Sequence, residues 1–389
     1  MNSRLRPLDG VRVLSLENFI AGPLATALLA DWGAEVVKVE SGKGDSYRSF
    51  PPLSSKEDYV SSPSFVRINR SKESIVLDLL DPDDRATFLK LVRVADVVLQ
   101  NIRPGALSDL GIDFEELKAH NPRIVLVSIS GFGQRDVQPG PLLNLPAFDI
   151  VGQAMSGLAF AAGNEGDPPM QLGVPVIDTV TADWGATAAL LGLRYRDVSD
   201  RAVHLDVSMY DVGMHLNEYR LGHYAYFGES VMRGGVSTSA PFDFFRASDG
   251  QFALAVSGDD IWGRFCRAIE RHDLATDETL ASGVQRSSNM HRLRQIIEEW
   301  SAVRTVTEVC RVLASFNVPA SPVQTEADVI NCPQAAARGA WVSVPDPAIG
   351  EMRVVANPVK ADAFSAAEPE AAPQLGADGD KVRATWLGE

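Results

Sequence analysis

Short runs of β-branched and aliphatic residues alternate with amphipathic stretches along the first 130 residues, the pattern of a parallel sheet joined by crossover helices. Residues 11–16 read as a strand, 24–32 as a helix and 35–40 as the next strand. A strand over 74–79 precedes a helix over 82–94, opened by Asp81-Pro82, a capping residue with proline at the first helical position. Strands over 97–101 and 124–128 extend the series, which predicts a Rossmann-like, doubly wound α/β domain.

Residues 179–195 are rich in Ala and Leu and helical, and Asp178 stands just before them, where an N-cap belongs. A strand over 203–209 and a helix over 210–226 follow. The texture then changes. Residues 231–240 are rich in Gly, Ser and Thr without periodicity, as in a linker or a functional loop. Asp249-Gly250 between apolar runs at 242–245 and 252–256 signals a hairpin, and helical patterns at 262–269, 292–300 and 306–316 complete a smaller α+β domain. From Ala361 onward the chain is rich in Ala, Pro, Glu and Asp and offers little to a core. The expected division is a large domain over 1–229, a small one with its linkers over 230–335, and a segment over 336–389 returning to the large domain. Apolar patches at 341–344 and 352–355 are the reason to expect that return.

Composition narrows the function. A length of 389 residues exceeds what one core sustains, and 51 acidic against 36 basic residues give a net charge of -15. That field repels nucleic acid and anionic membranes, so any anionic ligand needs a local cradle of amides or basic groups. Three scattered cysteines supply neither a disulfide framework nor a metal site, and the start has no apolar signal core. No stretch of 18 uninterrupted apolar residues occurs, and the expectation is a cytoplasmic enzyme.

The first strand, turn, helix and second strand end in Glu40, as in a dinucleotide-binding unit, but the turn Glu17-Asn18-Phe19-Ile20-Ala21-Gly22-Pro23 has one glycine where that fingerprint needs three. A nicotinamide cofactor is not expected. A nucleotide-sized ligand at a helix N-terminus remains. There is no P-loop, HExxH or GxSxG, and the six histidines stand far apart, so metal chemistry is not indicated.

The run from Ala21 to Glu40, AGPLATALLADWGAEVVKVE, followed by Gly44-Asp45 and Arg48, resembles the N-terminal signature of the class III CoA-transferase family (CaiB/BaiF type). That family also contains formyl-CoA transferase and α-methylacyl-CoA racemase. Further blocks agree in order: Asn69-Arg70-Ser71-Lys72, ADVVLQNIRPGALSDLGID beginning at Ala95, Ile129-Ser130-Gly131-Phe132-Gly133, and Gln153-Ala154 with Ser156-Gly157. The resemblance covers nearly the whole chain. It implies an acyl-CoA:carboxylate CoA-transferase whose partners are acyl-CoA, small carboxylic acids and a second copy of itself, each chain threading the other like linked rings. Coenzyme A is the substrate group, with no metal.

By the same resemblance the CoA-contacting residues are Ile20 and Ala21, then Leu77, Asp78, Leu79 and Leu80, then Asn101, Ile102 and Arg103, and finally Ala147, Phe148 and Asp149 beside the thioester. The family's basic residue after the second strand is Ser41 here, leaving Lys43 or Arg48 as substitutes. Asp178 matches the nucleophile. Taken alone, an Asp before an Ala-rich helix is more often a cap, yet the two roles are compatible, because a helix N-terminus favours an ionised carboxylate. Asp183 is a secondary candidate. The helix start after Asp178 and the loop at 236–239 are the expected donors to a tetrahedral intermediate.

Two departures from the family pattern refine the expectation. Racemase-like chains carry His-Asp where this sequence has Phe148-Asp149, so an α-methylacyl-CoA racemase-type epimerase would lack one acid/base partner. Formyl-CoA transferases carry a glycine run where this chain has Arg233-Gly234-Gly235-Val236-Ser237-Thr238-Ser239, which turns the expectation toward some other acid than formate or oxalate. A non-catalytic CoA-binding homologue is the remaining alternative, and an intact Asp178 argues against it.

Overall fold

The computed structural model describes residues 5–234 and 239–389. Six strands, β1 (Arg12–Leu16), β2 (Glu35–Glu40), β3 (Glu73–Val76), β4 (Val97–Gln100), β5 (Val125–Ser130) and β6 (Val203–Ser208), form one sheet in the order β3-β2-β1-β4-β5-β6. Every neighbouring pair is parallel. This is the doubly wound order, which reverses between β1 and β4. Strands buried on both faces need near-continuous apolar sequence, and VVLQ in β4 and VLVSIS in β5 are buried throughout.

Helices cover both faces. On one, α1 (Ala21–Asp31) and the long α5 (Val176–Ser199) pack over Val97, Leu99, Val125 and Ile129. On the other, α3 (Pro82–Val94), with Asp81 capping it through the amides of Asp83 and Asp84, buries Phe88, Leu91 and Val92. That second core also takes in Val382 and Trp386. The C-terminal tail therefore does contribute to a core, contrary to its composition, because two apolar residues four apart on one helical turn suffice to seal the sheet face.

The chain divides into two compact units, one of residues 1–159, 171–217 and 336–389, the other of 160–170 and 218–335. The cuts thus fall at 217 and 335, not at 229, and residues 160–170 join the second unit. The expected helix over 210–226 is two helices, Met209–Leu216 and Glu218–Phe227. The second unit holds an antiparallel pair, Phe242–Arg246 with Gln251–Ala255, turning through Asp249-Gly250 as expected, and Ala320–Pro322 adds a third strand. Its core is Phe245, Phe252, Phe265, Leu293, Ile297 and their neighbours. Among the described residues no helix is long and apolar enough to cross a membrane.

Candidate active site

Two adjoining cavities open at the carboxyl ends of the strands near the point where the sheet order reverses, where open α/β sheets take ligands. The larger, about 360 Å³, is lined by Asn18 to Ala21 after β1, Asn101 to Pro104 after β4, Ile129 to Gly131 at the end of β5, Ala147, Phe148 and Asp178. The other, about 270 Å³, is lined by Glu40 and Ser41 after β2 and by Leu77, Asp78, Leu79 and Leu80 after β3. Asn18 and Ile102 border both.

The turn after β1 is built with care. Asn101 accepts the Asn18 N–H through Oδ1 and donates Nδ2 to the Asn18 carbonyl, both at 2.8 Å. Gly22 makes this approach feasible: a Cβ there would lie 2.8 Å from the Asn101 Cγ. Phe19 has φ 61°, a left-handed conformation that costs energy in an aromatic residue, and its N–H donates to Asn18 Oδ1 at 2.9 Å and Asp45 Oδ1 at 3.2 Å. Beneath lies a buried ionic network. Lys38 donates to Asp45 Oδ2 at 2.8 Å, and Lys72 donates to Glu17 Oε1 at 2.7 Å and to Asn69 Oδ1 at 3.0 Å. Burial pulls the Lys72 ammonium down to about 8, with Glu17 opposing, while the two lysines hold Glu17 ionised despite its burial. Such a network fixes geometry more than it adds stability. Ile20 then caps α1 without a side-chain bond, which leaves the amides of the first turn without a side-chain acceptor at the cavity wall.

Asp178 differs from its expected setting. The helix starts at Val176 with Pro175 as N-cap, so Asp178 lies inside the first turn. The amides at this helix start are all engaged: Val176 donates to the Val174 carbonyl, Ile177 and Asp178 to Asp149 Oδ1 at 2.7 and 3.1 Å, and Thr179 to the Pro175 carbonyl. They are not available as donors to a tetrahedral intermediate, and Asp149, not Asp178, takes the benefit of the helix N-terminus. Burial first, and the Asp149 charge second, push the Asp178 carboxyl up to about 7. The helix start does not keep it in the ordinary carboxylate range. Asp183, five residues on, is raised by burial and does not line the cavity.

Of the residues expected at the site, Ile20, Ala21, Asn101, Ile102, Arg103, Ala147, Phe148 and Asp178 come together in the larger cavity and Leu77 to Leu80 in its neighbour. Asp149 lines neither, its carboxylate being turned to the start of α5. Arg48, expected as a nucleotide contact, is tied to Glu40 and stacks over Phe65, its guanidinium 4.1 Å from the ring centroid. Lys43 is exposed, and Arg103 is exposed and paired with Asp109 at 2.5 Å. Of the expected donors at 236–239, residues 236–238 lie outside the described residues, and Ser239 lines neither cavity. Phe19 is a lining residue that the sequence reading does not assign to the cavity; its ring meets Phe148 edge-on with centroids 5.3 Å apart, and both line the cavity that Asp178 lines. Among the described residues no group of three or more His, Cys, Asp or Glu is arranged to hold a metal.

A sequence profile described as CoA-transferase family III matches residues 8–379. The chain belongs to this family. It is 37% identical over 357 residues to a succinyl-CoA:mesaconate CoA-transferase of Haloarcula hispanica, covering 91% of this chain and 89% of that one. An acetyl-CoA:oxalate CoA-transferase of Acetobacter aceti is 34% identical, with 97% and 95% covered. Among solved structures, a CaiB/BaiF family protein from Brucella suis superposes with a TM-score of 0.86 at 30% identity, covering 98% of this chain and 99% of that one. The expected family membership and enzyme class hold: the protein is a class III CoA-transferase, and CoA thioesters are the substrates of that class.

Proposed function

We propose that this transferase exchanges CoA between carboxylic acids with Asp178 as a covalent nucleophile. The observation that carries the reading is that Asp178 lines the larger cavity together with Asn18 to Ala21, the turn after β1 and the start of α1, where no side chain caps the helix. An Asp178 oxygen attacks the thioester carbonyl of an acyl-CoA, the C–S bond breaks, and an aspartyl acyl anhydride and CoA thiolate result. The thiolate then attacks the aspartyl carbonyl, releasing the first acid as its carboxylate and leaving an Asp178–CoA thioester. The incoming carboxylate reverses both steps. A carboxylate suits this role because its anhydride is about as activated as the thioester, so no intermediate forms a deep trap.

In this reading Leu77 to Leu80 and Ile102 border the nucleotide end of CoA, and Ile20, Ala21, Asn101, Arg103, Ala147 and Phe148 the thioester end. Amides at Ile20 and Ala21 take over the donor role that the start of α5 cannot fill. The relatives named for mesaconate, oxalate and D-citramalate point to a short dicarboxylic acid as one partner of the exchange. Phe148 supplies no imidazole, which disfavours racemisation.

The active form we propose is the interlocked homodimer. An exposed row on α5, including Trp184, Leu191, Tyr195 and Val198, is the kind of apolar surface that a second chain would cover. Its place is the cytoplasm, where the free thiols Cys266, Cys310 and Cys332 stay reduced.

The test is a panel of acyl-CoA donors against short mono- and dicarboxylates, with mass-spectrometric detection of new thioesters and hydroxylamine trapping at Asp178. Exchange without any trapped adduct, or with Asp178→Asn at parental turnover, would falsify the covalent route.

A further inference from the structure

The start of α4 (Asp149–Met155) divides its work between two adjacent residues. Phe148 points into the larger cavity, whereas the Asp149 side chain turns toward α5. There its Oδ1 accepts the N–H groups of Ile177 at 2.7 Å and Asp178 at 3.1 Å, and its Oδ2 accepts the Gln153 amide at 2.6 Å. Gln153, buried one turn further along α4, accepts the Leu172 N–H through Oε1 at 2.9 Å. Gly152 closes the contact: a Cβ there would fall 2.8 Å from Cγ2 of Ile177. One face of α4 thus grips both the segment that leads into α5 and its first turn. Amides that ordinarily receive a cap from the preceding residue are capped by a residue 28 positions away, since Pro175 at the N-cap position has no side-chain acceptor.

We infer that Asp149 is a positioning residue for Asp178, fixing the turn from which that carboxylate enters the cavity, and that it makes no contact with the thioester. The inference rests on Asp178 being the nucleophile. Its physical basis is that two charge-assisted bonds to consecutive amides leave the α5 start a single orientation, and displacement of a reacting group by about 1 Å can cost on the order of 10²-fold in rate. The same carboxylate also contributes its charge. The titratable groups that act with Asp178 are Asp149 on α4 and Tyr47, whose hydroxyl is raised by burial, with Arg67 opposing and Asp178 adding to the rise. Of these, Asp149 is the one that lifts Asp178 beyond the effect of burial.

The experiment compares the parent, Asp149→Asn, Asp149→Ala and Asp178→Asn, using the acyl-CoA and acid pair that gives turnover in the parent. Asp149→Asn keeps an oxygen acceptor for both amides but removes the charge. It should lose less than about tenfold in kcat, while the acid limb of kcat/KM moves to lower pH by at least about half a unit. Asp149→Ala removes the acceptor as well and should lose about 10²-fold in kcat, with the Kd for CoA, measured by calorimetry, within about twofold of the parent. A purely structural role would not move the acid limb, and a direct CoA contact would raise the Kd instead of lowering kcat. If the Ala variant fails to fold, the limb position in the Asn variant decides. Parental kcat and an unmoved limb in the Asp149 variants, with Asp178→Asn inactive, overturn the inference and leave the nucleophile standing. Parental turnover in Asp178→Asn overturns both.

Discussion

Arg48 closes on Glu40 through two parallel bonds, Nε to Oε1 at 2.9 Å and Nη2 to Oε2 at 2.6 Å. Burial alone would raise the Glu40 carboxyl, but the Arg48 bonds and charge, with Lys38 and the Ser74 hydroxyl, outweigh it and bring the group down to about 2. Arg48 also donates to the carbonyl of Pro373, so it ties the tail to the end of β2.

Arg48→Ala should therefore act on stability. It leaves a buried carboxylate with the Asp45 N–H, the Ser74 hydroxyl and the Lys38 charge but without its guanidinium partner, which costs on the order of 3 kcal/mol, and urea unfolding should show a lower midpoint at pH 7. The folded Glu40 titrates below its unfolded value of 4.5, so its contribution is present above that pH and lost as pH falls toward 2. In the variant the loss of stability over that window should shrink. A midpoint equal to the parent's, with CoA binding weakened, would restore Arg48 to the nucleotide site.

Asp178 gives the opposite sign. Its folded carboxyl titrates near 7 against 3.8 ordinarily, so between those values the folded chain keeps a proton that the unfolded chain has released. Stability then falls as pH rises through the window. Asp178→Asn should be more stable than the parent at pH 8, by on the order of 2 kcal/mol, and nearly equal at pH 4. Its turnover should fall by several orders of magnitude, and parental kcat/KM should decline below about pH 7 as the nucleophile protonates. A variant that is inactive but no more stable at pH 8 would mean that Asp178 sits in a wetter setting than the structure gives it.

What could be read in advance follows from where the forces act. β2 and α3 fall on residues 35–40 and 82–94 as expected, because apolar periodicity and the Asp81-Pro82 start are local signals. The start of α5 lies three residues before the expected one because its amides are capped by Asp149 across 28 residues, a partner that no local signal around Asp178 shows. The break at Asn217 was invisible for a similar reason: its side-chain amide donates to the Ser156 carbonyl, 61 residues distant. Trp386 and Val382 were too sparse in a polar tail to advertise a core contact. Within the two cavities, the residues named by family resemblance line the walls, Asp78, Arg103 and Asp178 among them. Arg48 and Asp149 do not, since each binds a neighbour that no spacing in the sequence announces.

The packing of α5 onto the sheet supplies the last prediction. Gly192 faces β5 and β6, and a Cβ there would lie 2.3 Å from Cγ1 of Val125 and 2.8 Å from Cδ1 of Leu205. An alanine in place of glycine within a helix ordinarily gains about 1 kcal/mol. At this position the clash decides instead, because Val125 is wholly buried on a strand paired on both sides, and its branched side chain has one preferred rotamer with no room to turn. Gly192→Ala should destabilise by about 1–3 kcal/mol through overpacking, lowering the thermal midpoint by several degrees. Gly222 is the control. It lies exposed in the Glu218–Phe227 helix, and among the described residues a Cβ there would meet the far end of the Glu218 side chain at 3.3 Å, which can swing into solvent. Gly222→Ala should keep or raise the midpoint. If both substitutions raise it, α5 stands further from β5 than the structure shows, and the close approach that sets the depth of Asp178 in the cavity wall must be redrawn.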